Sequence, residues 1–156
     1  MGAGVGGLST AIALKSTGHN VRVYEQAPEL SEVGAGIQIP PNSTRILHSW
    51  GLQAALERYA IKPTAIYWRR WENGSLIGRS KLNPDIEERF GSPYYVIHRA
   101  HLHKVLHDRV KELGISIFLN HKVERYDERE GTMELGDGTV VKADMIICAD
   151  GRIPAF

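Results

Sequence analysis

One cysteine, Cys148, stands in the 156 residues. No internal disulfide is available to it, and the expected compartment is reducing, with the cytoplasm as the default. A dominant sign of charge is lacking as well: 19 Lys and Arg meet 18 Asp and Glu, for a formal net charge of +1. Such a chain has no broad field with which to draw in nucleic acid or an anionic membrane, so any partner must be recognised locally. No apolar run approaches the roughly 18 residues of a membrane span. The opening MGAGVGGLSTAIALKSTG is small and apolar, but it has no basic flank of a secretion signal. Gly6 also stands where a myristoylation pattern requires Ser or Thr. Internal repeats and low-complexity linkers are absent. What is present, 42% apolar residues and 16 glycines, excludes disorder and collagen and suits one globular domain or part of a larger one.

Leu8, Ala11, Ile12 and Leu14 recur at helical spacing, with Gly18 as a stop, and predict a helix over about 6–17. Val21, Val23 and Tyr24 then predict a strand ending at Glu25. In PPNSTRILHSWGL, Asn42 is a candidate cap for a helix carrying Ile46 and Leu47, and LQAALERYA adds a further turn or two. Between 65 and 82 the helical period gives way to AIYWRRW, ENGS and LIGRSKL, an antiparallel hairpin with Trp68 on a half-buried sheet. NPDIEERFGSP reads as loop and YYVIH as a strand. The following helix, from about His101 to Leu113, turns Leu102, Val105, Leu106, Val110 and Leu113 inward. The strands ISIFLN, TMELGD, GTVVKA and DMIICA follow, with KVERYDERE as a possible further one. Alternating helices and strands at both ends, with hairpins between, predict an α/β nucleotide fold carrying an inserted antiparallel layer.

Gly2, Gly4 and Gly7 form G-x-G-x-x-G at a helix start, where backbone N–H groups and the positive helix end can meet a pyrophosphate. Glu25 follows Gly7 by 18 residues, at a strand end where a carboxylate can accept hydrogen bonds from ribose hydroxyls. A 2′-phosphate would repel that carboxylate, so a bare ribose is expected. On these residues alone FAD and NAD are equally served, since both present an ADP group.

GAGVGGLSTAIAL, VYEQAPELSEVGAGIQIPPNSTRIL, YWRRWENGSLIG, HRAHLHKVL and ADMIICADG, in this order, resemble the flavin-dependent aromatic hydroxylases, group A monooxygenases of the salicylate hydroxylase type. The resemblance covers nearly the whole chain. It implies a Rossmann-like FAD-binding fold of the GR2 type with an inserted antiparallel β layer. Residues 1–156 would be a fragment of the FAD-binding domain, and 62–96 part of the substrate-side layer. It further implies FAD as cofactor, NAD(P)H as reductant, molecular oxygen, and a small aromatic substrate to be hydroxylated. The ADP half of FAD would lie on Gly2, Gly4 and Gly7, with Glu25 on the ribose and Gln26 beside it. Ala35 and Gly36 of GAGIQIPPN would pass near the flavin side. Arg99, in the family's R-x-x-L pattern, would lie against the phosphates, and a guanidinium fork suits that task. The backbone of Val123 would meet the adenine, and Asp150 of A-D-G would touch FAD. His101 departs from the acid common at its position.

Relatives of this type place an apolar strand before the glycine turn, between the 21–25 and 144–149 strands. They also continue past A-D-G into further strands, where this chain reads GRIPAF. The expectation is therefore an incomplete fold, truncated at both ends, with no catalytic acid or base that can be named and activity of the isolated chain in doubt. Two other functions remain open on the residues: a non-catalytic FAD or nucleotide binder, and an NAD-dependent reductase using the same turn. His98, His101, His103 and His107 cluster, but without H-E-x-x-H, and they mostly fall off the Leu102/Val105 stripe, so no metal is expected. Trp68 and Trp71 with Arg69 and Arg70 could stack bases, but a sheet face is the simpler reading. Cys148, between Ile147 and Ala149, reads as an inert core thiol.

Overall fold

The computed structural model describes residues 2–30 and 34–151. They form two compact units, one of residues 2–30 with 103–151 and one of residues 34–102. The alternation read from the sequence appears in the first. Gly4, extended at φ −71°, caps helix α1 (Val5–Ser16). The helix buries Gly7, Leu8, Ala11 and Ile12 and ends where Gly18 takes φ +91°, a conformation glycine enters without steric cost. Strand β1 (Arg22–Tyr24) runs parallel to β6 (Ser116–Phe118), with Tyr24 opposite Phe118. The pairing continues past the strand end, Glu25 N–H donating to the Phe118 carbonyl at 2.8 Å and His121 N–H to that of Glu25 at 2.9 Å. Helix α5 (Arg99–Glu112) precedes β6 and buries Val105, Leu106 and Val110 in this unit. Then β7 (Val123–Asp127), β8 (Thr132–Leu135) and β9 (Val140–Lys142) form an antiparallel sheet in that order. Val123, Met133 and Leu135 bury against Tyr24, with Phe118, Tyr126, Val141 and Ile146 around them.

One strand expected here is not formed. Asp144–Asp150 carries no ladder, and Cys148 is exposed, not a core thiol. A cleft of about 500 Å³ separates the segment from β1, with Val23, Tyr24, Met145, Ile146, Ile147 and Ala149 among its walls. Apolar, β-prone residues make a strand only when another strand lies alongside them in register, and on the β1 side of this segment there is a cleft instead.

In the second unit β2 (Gly36–Ile39) pairs antiparallel with β5 (Tyr95–His98), Gly36 opposite His98. Helix α2 (Pro41–Ser49) is capped by Pro40 and has Pro41 at its first position. Asn42 is therefore inside the helix, not its cap: proline's fixed φ and missing N–H suit the first turn and draw the start forward. Thr44 is fully buried. Its hydroxyl pairs with the Pro93 carbonyl at 2.7 Å and the Ser92 hydroxyl at 2.8 Å. Helix α3 (Gln53–Glu57) follows, and then the hairpin of β3 (Ala65–Arg69) and β4 (Leu76–Lys81). This hairpin is not the half-buried sheet expected, for Tyr67, Trp68, Leu76 and Ile77 are all exposed. No second layer covers it within the unit. The predicted loop at 83–93 contains helix α4 (Asp85–Phe90). Asp85, Glu87 and Glu88 in its first turn complement the helix dipole, and Gly91 closes it at φ +67°.

His48 lies on α2 with its ring 5.8 Å from that of Tyr95, and its buried Nε2 has no hydrogen-bond partner among the described residues. Burial holds its pKa below the ordinary 6.5, outweighing the opposing pull of Glu57. Burial lowers that of His107 on α5 as well. Unfolding raises both to their free values, so the unfolded chain binds more protons in the interval between. Stability is full above about pH 6.5 and declines as pH falls through that value towards the folded pKa values. Glu57, held low by hydrogen bonds from Gln53 and Tyr95, stays ionised throughout this window. Urea titrations at pH 7.5 and 5.5 are expected to show a lower midpoint at the acid pH, and His48→Leu to reduce the difference. Equal differences in parent and variant would contradict the assignment.

Candidate functional site

In the first unit the site is built on the glycine turn that opens α1 and rests against the end of β1. Gly2 takes φ +86° and donates its N–H to the Tyr24 carbonyl at 2.8 Å. A Cβ on Gly2 would stand 2.4 Å from the Ala149 carbonyl oxygen and 3.3 Å from Asp150 Cα, so the turn and the A-D-G segment touch backbone to backbone. A Cβ on Gly7 would fall 1.8 Å from the Gly2 carbonyl oxygen. These two glycines are required by close packing within the protein. Gly4 differs, since a Cβ there would meet no atom within 4 Å. The first four N–H groups of a helix have no partner within it, and at the positive end of α1 the space beside Gly4 and Gly6 is clear, a Cβ on either meeting nothing within 4 Å.

Glu25 reaches this turn from the end of β1. One carboxylate oxygen accepts the Ala3 N–H at 2.6 Å and the other the Ala27 N–H at 2.8 Å. A carboxylate oxygen has more than one acceptor position, so each can still take a ribose hydroxyl. Gln26 is exposed beside it. The structure thus brings Gly2, Gly4, Gly7, Glu25, Gln26 and Asp150 to one place. Val123 is in the same unit, but its side chain is 5% exposed in the core, and it pairs with Leu135 at the start of β7.

The second unit gathers Ala35, Gly36 and Arg99. Arg99 opens α5, two residues earlier than expected, and its N–H donates to the Ala35 carbonyl at 3.1 Å. A Cβ on Gly34 would stand 3.0 Å from Arg99 Cβ, so the chain lies directly against the arginine stem.

His103 departs from the expectation that the histidines mostly fall off the Leu102/Val105 stripe. It is 5% exposed, and its Nε2 is 2.7 Å from the Ala3 carbonyl. The signal was present: 103, 106 and 110 follow i, i+3, i+7, which puts His103 on the buried stripe with Leu106 and Val110. No group of three or more His, Cys, Asp or Glu suited to a metal occurs among the described residues. None of their helices is long and apolar enough to cross a membrane.

A parallel strand pair, a glycine turn opening a helix and an acid at the next strand end define an α/β unit of the dinucleotide-binding class. The donor set fits the ADP portion of such a cofactor: N–H groups of a helix N-terminus for phosphate, a carboxylate for ribose, and a glycine whose α-carbon faces open space. The sequence matches the FAD binding domain family over residues 1–153, and the chain belongs to that family. It is 42% identical over 153 residues to 3-amino-4-hydroxybenzoate 2-monooxygenase of Streptomyces cremeus, covering 97% of this chain and 38% of the relative. Against 6-hydroxynicotinate 3-monooxygenase of Pseudomonas fluorescens the identity is 36% over 154 residues, with 97% and 39% covered. Among solved structures, 2-methyl-3-hydroxypyridine-5-carboxylic acid oxygenase superposes with a TM-score of 0.83 at 32% identity, over 96% of this chain and 38% of the other. The chain thus spans a little over a third of the length of these relatives.

Proposed function

We propose that this chain forms the ADP-binding part of an FAD-dependent monooxygenase that hydroxylates a small aromatic or heteroaromatic acid already bearing a ring hydroxyl. The observation that carries it is the Glu25 carboxylate set on the glycine turn, 2.6 Å from the Ala3 N–H. The relatives named above support the substrate class, because each name describes a hydroxylated ring carrying a carboxylate. Overall, substrate, dioxygen, NAD(P)H and a proton would give hydroxylated product, NAD(P)⁺ and water.

Bound here, FAD supplies the redox chemistry that amino-acid side chains lack, namely reduction by nicotinamide and activation of dioxygen. The residues of this chain bind and orient. The N–H groups around Gly4 hold the pyrophosphate, Gly2 and Gly7 keep the turn tight, and Glu25 with Gln26 receives the adenosine ribose. The backbone at Val123 borders the adenine. Asp150 closes the site beside Gly2, Arg99 supplies a cation for the phosphates, and Ala35 with Gly36 lets the backbone approach the flavin portion. The 62–96 hairpin region belongs to the substrate side, consistent with its exposed aromatic face.

The test is chemical identification of the cofactor by HPLC after denaturation, followed by NAD(P)H oxidation assays with a panel of hydroxylated aromatic acids under labelled oxygen. FAD release and single-atom incorporation of label into product are expected. NAD in place of FAD would identify a reductase, and FAD without NAD(P)H consumption a non-catalytic binder.

A further inference from the structure

We propose that His103 is a positioning residue for the cofactor, aiming the Gly4 N–H at the pyrophosphate by holding the opposite side of the same peptide group. This rests on the assignment of the glycine turn as the phosphate site. Ala3 is gripped at both ends of its backbone. Its N–H donates to Glu25 at 2.6 Å, and its carbonyl lies 2.7 Å from His103 Nε2, both in a setting where Ala3 is 1% and His103 5% exposed. A carbonyl only accepts, so Nε2 must carry the hydrogen and donate it.

The consequence follows from the planarity of the peptide. In a trans unit the C=O and the following N–H point in opposite directions. With the Ala3 oxygen fixed towards the helix α5 imidazole, the Gly4 N–H is directed away from it. A Cβ on Gly4 would meet nothing within 4 Å, so the approach to this residue is open. Without the imidazole, the Ala3–Gly4 peptide could rotate by compensating changes of ψ at Ala3 and φ at Gly4, the latter eased by glycine's freedom, and the N–H would no longer be held ready for an anion. The histidine itself is buried behind the turn, a hundred residues away in sequence, and touches no phosphate.

His103→Leu removes the donor while filling its space, and His103→Gln returns an N–H near the position of Nε2. FAD, ADP and adenosine are titrated against each variant of the full chain, with thermal midpoint and far-UV circular dichroism recorded in parallel. In His103→Leu, affinity for FAD and ADP is expected to fall about tenfold, the size of a lost backbone hydrogen bond, while that for adenosine is unchanged. His103→Gln is expected to restore FAD and ADP to within about threefold of the parent. A merely structural histidine would weaken all three ligands together, and that result overturns the proposal. Parent-like FAD affinity in folded His103→Leu, or loss of FAD in His103→Gln at the parent's thermal midpoint, does so too. Should the leucine variant not fold, His103→Asn, whose amide is too short to reach Ala3, takes its place against His103→Gln under the same criteria. A parent chain that binds neither FAD nor ADP would overturn the phosphate site itself, and this inference with it.

Discussion

Alanine at Gly4 is expected to weaken FAD binding by at least about 100-fold while leaving the protein folded, whereas alanine at Gly7 is expected to unfold the turn. The motif treats the two glycines alike, but their surroundings are opposite. At Gly7 the new methyl would overlap the Gly2 carbonyl oxygen at 1.8 Å and approach the Gly2 carbonyl carbon at 2.9 Å. Both are backbone atoms, which cannot swing aside as a side chain can. Overpacking of this kind costs about 3 kcal/mol or more, against a total stability of roughly 5–15 kcal/mol. The thermal midpoint should fall by roughly 6–12 °C. Gly4 has φ −71°, open to any L-residue, and space in front of it, so the protein should stay folded and lose only about 0.5–1.5 kcal/mol, the cost of alanine for glycine at an N-cap. Its methyl would instead occupy the path by which a pyrophosphate reaches the N–H groups, and affinity should fall at least about 100-fold, near 2.7 kcal/mol. Differential scanning calorimetry and FAD fluorescence titration separate the two losses. Gly6→Ala is the control: it meets nothing within 4 Å and exchanges a helical glycine for a better helix former, a gain of about 0.5–1 kcal/mol. If Gly4→Ala binds FAD as the parent does, the phosphate lies elsewhere.

Removing the Glu25 carboxylate should have the next largest effect, and it should act twice. Glu25→Ala strips the acceptor from the Ala3 and Ala27 N–H groups, bonded at 2.6 and 2.8 Å, and it removes the proposed partner of the ribose. Each hydrogen bond to a charged group contributes about 1.5–3 kcal/mol, so FAD affinity should drop by roughly 100-fold. The thermal midpoint should fall as well, because Ala3 is buried and cannot recover its bond from water. A cycle isolates the ribose contribution. The penalty of Glu25→Ala should shrink for an FAD analogue with deoxygenated adenosine ribose, since that ligand never made the contact. An undiminished penalty would confine Glu25 to holding the turn.

These residues also show how far the text could be read. G-x-G-x-x-G followed by Glu25 was legible because the reasons for it are local: a tight turn, a helix start and a strand end are separated by few residues. The helix around Leu8 and Ile12, the β5 strand and the 65–81 hairpin were legible from their periods for the same reason. The start of α2 was misjudged because proline at the first helical position outcompeted Asn42 as a boundary, and α4 was missed because six residues are too few to display a period. His103 was misjudged for a different cause. It was grouped with histidines that fall off the Leu102/Val105 stripe, although its spacing to Leu106 and Val110 marks the buried face.

By itself the sequence determined the order of turn, helix, strand and acid, and the kind of ligand that order can hold, because these depend on backbone stereochemistry and on the sign of a charge. Only the tertiary structure decided which glycine is needed for packing and which faces open space, that a histidine 100 residues distant lies behind Ala3, and that the apolar 144–150 segment forms no strand. Those outcomes depend on which atoms become neighbours when distant parts of the chain meet. A strand needs a partner for its backbone groups, and a buried imidazole needs a carbonyl within reach.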